Sequence, residues 1–279
     1  MGTKKILLVQ SVIFLMFGTS IGAATVDGIQ IHSSIKGNGP KTVILVHGWT
    51  CDERTWKAQV PELARNYRVL TLDLPGHGQS GFPRDGKLSM DLSARAIEAV
   101  RQDVKAERVV LVGHSMGTAA ILQYARLYPQ HTVAIVIVDG SVTFQESDKQ
   151  RAMEAAKKYA ESSKARETMV QAMFTPTTKK EVRQLVLSMV LGAPAKTAVG
   201  MMEAFVDPGI WKEDVFPQPV LAIYASLTAA DRESDPKYMK TRFPKLDLVN
   251  MPDTGHFVML EKPREFNRLL NSFLEKQKF

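Results

Sequence analysis

Six short apolar runs recur along the 279-residue chain, and most of the intervals between them carry helical periodicity, a combination few folds satisfy. The runs are "KTVILVHG" (Lys41 to Gly48), "YRVLTLDLPG" (Tyr67 to Gly76), "RVVLVGHS" (Arg108 to Ser115), "HTVAIVIVDG" (His131 to Gly140), "QPVLAIYAS" (Gln218 to Ser226) and "LDLVNMPDTGH" (Leu246 to His256). Several are apolar at consecutive positions, which marks strands covered on both faces. Helix-period segments span Glu53 to Asn66, Met90 to Lys105, Met116 to Tyr128 and Lys262 to Lys276. Strand and helix thus alternate, and the expected class is α/β: a mostly parallel sheet with helices on both faces. Ahead of the first run, "GIQIHSSIKGNGP" reads as an extra strand pair turned by Gly37 to Pro40.

One interval breaks the alternation. From Ser141 to Val215 no strand pattern occurs and the sequence is helical in character, as in "SDKQRAMEAAKKYAESSKARETMVQAMF". The expected organisation is a core of residues 25–140 and 216–279 interrupted by a helical insert, residues 141–215. Its 11 basic and 10 acidic residues nearly cancel, so no charged ligand is signalled. Met153, Met169, Met173, Met189, Met201 and Met202 supply unbranched apolar surface, suited to core packing and also to a pliable pocket wall. Phe144, Phe174 and Phe205 add to that surface.

The first 24 residues have the order of a secretory signal peptide. Lys4 and Lys5 precede the apolar run Ile6 to Ile21, which closes in Gly22, Ala23 and Ala24. That run falls short of the roughly 20 residues of a spanning helix and contains Gln10 and Ser11, so cleavage near Ala24 and a secreted or periplasmic location are expected. Cys51 is the single cysteine, which excludes an intrachain disulfide and makes a zinc site improbable. The net charge of +7 is modest, its basic residues are dispersed and aromatic residues do not interleave with them. A nucleic-acid partner is therefore not expected.

Gly113-His114-Ser115-Met116-Gly117 stands where the third strand pattern meets a helix pattern. A serine on such a turn sits in strained backbone with its Oγ projecting above the sheet edge, and flanking glycines leave the room that turn needs. The N–H of Met116, at the helix start, points toward whatever is bonded to Ser115. An exposed nucleophile beside an oxyanion donor is what acyl transfer requires.

With "VHGW" after the first parallel strand, "DLPGHGQS" after the next, "GHSMG" at the turn and "DTGHF" after the last strand, the chain resembles the α/β-hydrolase family over nearly its whole length beyond the leader. The resemblance implies Ser115 as nucleophile, His256 as general base, and the backbone N–H groups of Trp49 and Met116 as the oxyanion hole. It leaves the acid open. The penultimate strand ends "LAIYASLTAADRESD", with Ala225 and Thr228 where many relatives carry glycine and aspartate, so Asp231 is three residues late. Asp139, closing "AIVIVDG", is the alternative, with Asp235 as a further candidate. Asp73 reads as structural, holding the turn at Gly76 and Gly78. Of the remaining histidines, His47 and His77 belong to loop motifs, His114 is the variable residue of the elbow, and His32 and His131 sit at strand edges.

The function so implied is cofactor-free and metal-free hydrolysis of a small-molecule ester with an apolar acyl or aryl group. Lactone hydrolysis, carbon–carbon bond hydrolysis and perhydrolysis are the alternatives on the same scaffold, and a small-molecule receptor is the alternative outside enzymes.

Overall fold

In a computed structural model describing residues 20–21, 24–226 and 235–277, the apolar runs assemble into one sheet. Its strands are β1 (Ser20–Ile21), β4 (Ser33–Lys36), β5 (Thr42–Val46), β6 (Arg68–Leu72), β7 (Val109–His114), β8 (Thr132–Val138), β9 (Val220–Ala225) and β10 (Leu246–Met251), in the spatial order β1-β4-β6-β5-β7-β8-β9-β10. All pairings from β6 to β10 are parallel. Every residue of β5, β7, β8 and β9 is buried, and alternate side chains feed two cores. Ile44, Leu111 and Ile137 join α2 (Met90–Asp103) and α3 (Met116–Leu127) on one face; Leu45, Val112 and Val136 join α10 (Pro263–Glu275) on the other. Burial on this scale, at roughly 1.5–3 kcal/mol per large aliphatic side chain, is what holds the sheet without a disulfide.

The amino-terminal strand pair differs from expectation. The turn from Gly37 to Pro40 does not close a hairpin between β4 and β5: β6 lies between them, antiparallel to β4 and parallel to β5. The turn instead crosses the chain that leads into β6. A Cβ on Gly37 would stand 2.3 Å from the Tyr67 carbonyl oxygen, and one on Gly39 2.1 Å from that of Asn66. The hairpin that does form is β2 (Thr25–Val26) with β3 (Ile29–Gln30), turned by Asp27 and Gly28, both at positive φ. The helix expected over Glu53 to Asn66 is also broken. Asp52 caps a 3-10 turn over Glu53–Trp56, and α1 (Val60–Leu63) starts afresh with Pro61 in its first turn, where a missing N–H is tolerated as it is not in a helix interior.

Between β8 and β9 lie α4 (Lys149–Glu161), α5 (Ser163–Ala172), α6 (Lys180–Gly192) and α7 (Ala195–Phe205). Both ends of this insert are held by one buried side chain. Arg242, from α8 (Pro236–Arg242), donates to the carbonyls of Val142 at 3.0 Å on the way in and of Lys212 at 2.6 Å and Asp214 at 2.7 Å on the way out. Phe144, Phe205 and Trp211 cluster at the insert's base, with ring centroids 5.0–6.2 Å apart. Met201 is fully buried in the core of the first face. Among the described residues no single helix is long and apolar enough to cross a membrane.

Candidate active site

The site is built at the carboxyl edge of the central strands, beginning with the corner between β7 and α3. Ser115 occupies that corner at φ +54°, ψ −125°, and its N–H donates to the Val138 carbonyl at 2.9 Å. The flanking glycines are required sterically. A Cβ on Gly113 would lie 2.6 Å from the Gly117 oxygen, and one on Gly117 would lie 2.5 Å from the His47 oxygen, so α3 starts in contact with the loop that follows β5. The same loop passes over the serine: a Cβ on Gly48 would stand 3.0 Å from Ser115 Cβ.

That loop is oriented by a histidine. Leu74 N–H donates to His47 Nε2 at 3.0 Å, which leaves the proton on Nδ1, and Nδ1–H donates to the Gly48 carbonyl at 2.8 Å. Cys51 N–H donates to the same carbonyl at 3.2 Å. In a trans peptide C=O and N–H point oppositely, so fixing the Gly48 oxygen fixes the direction of the Trp49 N–H. Cys51 is buried, and burial together with the charge of Asp52 pushes its thiol up to about 12, so it is inert packing. Asp73 is structural: it accepts from the Glu53 and Gln79 amides, both at 2.8 Å, and Gly78 at φ +48° passes too close to it for any Cβ.

His256 follows β10. Its Nδ1–H donates to Asp139 Oδ2 at 2.6 Å, and Asp139 Oδ1 accepts from Ala225 N–H at 2.7 Å. The Asp139 side chain is fully buried, while that of His256 keeps 19% of its surface exposed, toward the cavity that Ser115 also lines. A carboxylate buried in this way holds the imidazole in the tautomer with Nε2 free to accept. Thr50, Ser115 and Asp139 all adopt positive φ, as do Asp27, Lys105 and Asp253 among the described non-glycine residues. The first three converge on one site, where such strain is commonly stored.

The cavity is narrow, with a volume of about 40 Å³. Gly48, Trp49 and Thr50 form one wall, and Tyr159, Met169, Val170, Met173 and Val190 from the insert form the other. Two of the six insert methionines therefore line the site, whereas Phe144 and Phe205 are engaged at the insert's base and Phe174 is buried against Phe257.

A model described as the Alpha/beta hydrolase family matches residues 43–269. The chain belongs to the alpha/beta hydrolase family. Among its relatives, this alpha/beta hydrolase is 25% identical to the dihydrolipoyllysine-residue acetyltransferase component of the acetoin cleaving system of Pseudomonas putida, over 86% of this chain and 65% of that one. It is 25% identical to the pimeloyl-[acyl-carrier protein] methyl ester esterase of Aeromonas hydrophila, over 85% of this chain and 96% of that one. It superposes on a thermophilic esterase from Thermogutta terrifontis with a TM-score of 0.77 at 24% identity, covering 93% and 98% of the two chains. The chain spans only 30% to 65% of the acetyltransferase components it matches.

Of the candidate acids, Asp139 touches His256. Asp231 lies outside the described residues, and Asp235 caps α8 by accepting from Lys237 N–H at 3.0 Å. Sequence reasoning passed over His114 as a variable position. It is buried, and its Nε2–H donates to the His256 carbonyl at 2.9 Å, bracing the loop that carries the histidine.

Burial, and then the nearby His256, lowers the His114 pKa from 6.5 to about 3; burial and His47 do the same for His77. Their folded-state values lie below those of the unfolded chain, so between about pH 3 and 6.5 the unfolded chain binds more protons and stability falls as pH falls. The slope contributed is on the order of 1 kcal/mol per pH unit for each buried histidine. The unfolding temperature is therefore expected to drop steeply from pH 6 to pH 4, with a shallower acid limb in His114→Gln. An identical limb in the variant would remove His114 as its source.

Proposed function

We propose that the chain is an exported serine hydrolase that cleaves carboxylic esters through an acyl-enzyme. The observation that carries the reading is the 2.6 Å bond from His256 Nδ1–H to buried Asp139, in a cavity shared with Ser115 on a positive-φ strand-to-helix corner. Ser115 Oγ attacks the ester carbonyl as His256 Nε2 takes its proton, and the N–H groups of Trp49 and Met116 receive the oxyanion. His256 then protonates the departing alcohol. Water, deprotonated by the same imidazole, cleaves the acyl-enzyme and regenerates Ser115.

The substrate class follows from the wall. Apart from His114 and His256, the described residues lining the cavity carry no ionisable side chain other than Cys51 and Tyr159, and both of these are held protonated by burial. A narrow cavity lined by Trp49, Met169, Val170, Met173, Val190 and Phe257 suits an uncharged, apolar acyl or aryl group. The ester chemistry named for the Aeromonas hydrophila relative supports an ester as the substrate.

A fluorophosphonate probe should label Ser115 stoichiometrically, and p-nitrophenyl acetate and butyrate should turn over. Ligand binding without labelling or turnover would instead favour a receptor. Export is proposed from the leader, which lies almost wholly outside the described residues. Amino-terminal sequencing of the mature protein should begin near Thr25, in the periplasm or medium; a soluble cytoplasmic chain retaining Lys4 and Lys5 would overturn export.

A further inference from the structure

Two reacting loops of the core are tied by three hydrogen bonds to the insert, and one of these ties reaches the oxyanion loop through a side chain that no motif marks. His256 N–H donates to the Met173 carbonyl at 2.9 Å, just beyond α5. The Trp49 indole N–H donates to the Ala198 carbonyl of α7 at 2.9 Å. Tyr159, on α4, packs its ring against Trp49 at a 36° tilt with centroids 4.5 Å apart and places its hydroxyl 2.7 Å from Thr50 Oγ1.

The direction of the Tyr159 bond can be deduced. Thr50 Oγ1 has one proton and lies 2.8 Å from the Trp49 carbonyl, which can only accept. Tyr159's alternative acceptor, the Val190 carbonyl, is at 3.5 Å, where a hydrogen bond is marginal. The favoured arrangement is a relay: Tyr159 O–H donates to Thr50 Oγ1, and Thr50 O–H donates to the Trp49 carbonyl. Burial raises the phenol's pKa well above its usual value, so it stays a donor across the working pH range.

Thr50 itself is at φ +56°, a conformation that a β-branched residue adopts only when its surroundings impose it. The relay supplies that imposition. Trp49 then stands between two fixed peptides: its N–H by His47 and Cys51 acting on the Gly48 oxygen, its own carbonyl by Thr50. The first lock belongs to the core. The second belongs to the insert.

We infer that Tyr159 is a positioning residue for catalysis: through Thr50 it adds a lock on the Trp49 carbonyl to the core's lock on the Gly48 oxygen, so that the Trp49 N–H is held at full alignment while the insert sits closed over the site. The inference rests on the reading of Trp49 as an oxyanion donor. It makes the insert part of the catalytic apparatus as well as a wall: displacement of α4 would break the relay and release strained Thr50, so an open site is also a disarmed one.

Tyr159→Phe keeps the ring on Trp49 and removes only the donor. Because full removal of an oxyanion donor costs ~10²–10³ in kcat, its loosening is expected to lower kcat about 10- to 100-fold with KM changed less than about 2-fold. The rate of fluorophosphonate labelling at Ser115 and the affinity for a trifluoromethyl ketone, which places an oxyanion in the same site, should fall by the same factor. Thr50→Val should reproduce the loss, the double variant should cost no more than either single, and Thr50→Ser should restore activity. Thr50→Gly relieves the positive φ, so it should unfold at the parent temperature or above and still lose kcat, which separates alignment from folding.

Parent-like kcat and labelling in Tyr159→Phe, or independent multiplying losses in the double variant, overturn the inference while leaving the serine mechanism standing. Labelling that survives Ser115→Ala overturns both.

Discussion

Ser115→Ala is expected to lower kcat by at least about 10³-fold while leaving the unfolding temperature close to that of the parent. The size follows from what is lost: without the hydroxyl there is no covalent intermediate, and only binding and oxyanion stabilisation of direct water attack remain. The fold should tolerate the change, because the corner is specified by its neighbours. Gly113 and Gly117 make the tight contacts, and the backbone N–H at position 115 still donates to Val138. Alanine at φ +54° keeps the strain that serine already bears. His256→Ala should give a loss of similar size, and the double variant should lose little beyond either single, since residues acting as one unit are strongly non-additive. Near-normal turnover in either single variant would remove the proposed triad.

What the sequence made legible was what depends on pattern. Consecutive apolar residues in β5, β7, β8 and β9 predict burial on both faces because no other environment accepts such runs, and all four strands are buried throughout. The elbow was legible for a similar reason: two glycines spaced around one serine at a change of period have few structural uses. Pairing partners were less so. Nothing local to Gly37–Pro40 says that β6 will come between β4 and β5, because that order is set by contacts with Asn66 and Tyr67 almost 30 residues away in the chain. The break after Asp52 has a local sign in Pro61, which apolar spacing across Glu53 to Asn66 does not register. His114 and Tyr159 could not be read at all as site residues. Their contributions are single hydrogen bonds to His256 and Thr50, made across 142 and 109 residues, and a residue type alone carries no sign of its partner.

The acid is the site residue for which sequence offered a choice and geometry offers a contact, so Asp139→Asn is the sharpest test of it. Asparagine is nearly isosteric. Its carbonyl can keep the bond from Ala225 N–H, and the variant should therefore fold. Its amide, however, presents N–H to His256 Nδ1 in place of a carboxylate oxygen. The imidazole is then driven to the tautomer with its proton on Nε2, which cannot accept the proton of Ser115, and the charge that would stabilise the imidazolium is gone. In trypsin-like serine proteases the corresponding change lowers kcat by about 10⁴ with geometry intact, and a loss of that order is expected here. Asp139→Ala should differ in a telling way. It leaves the buried Ala225 N–H without its acceptor as well, adding a stability cost of about 1–3 kcal/mol that Asp139→Asn avoids. Asp231→Asn should retain nearly full activity. If instead Asp231→Asn carries the large loss and Asp139→Asn turns over normally, the carboxylate beside His256 only braces β8 against β9, and the acid of the reaction comes from the loop after β9.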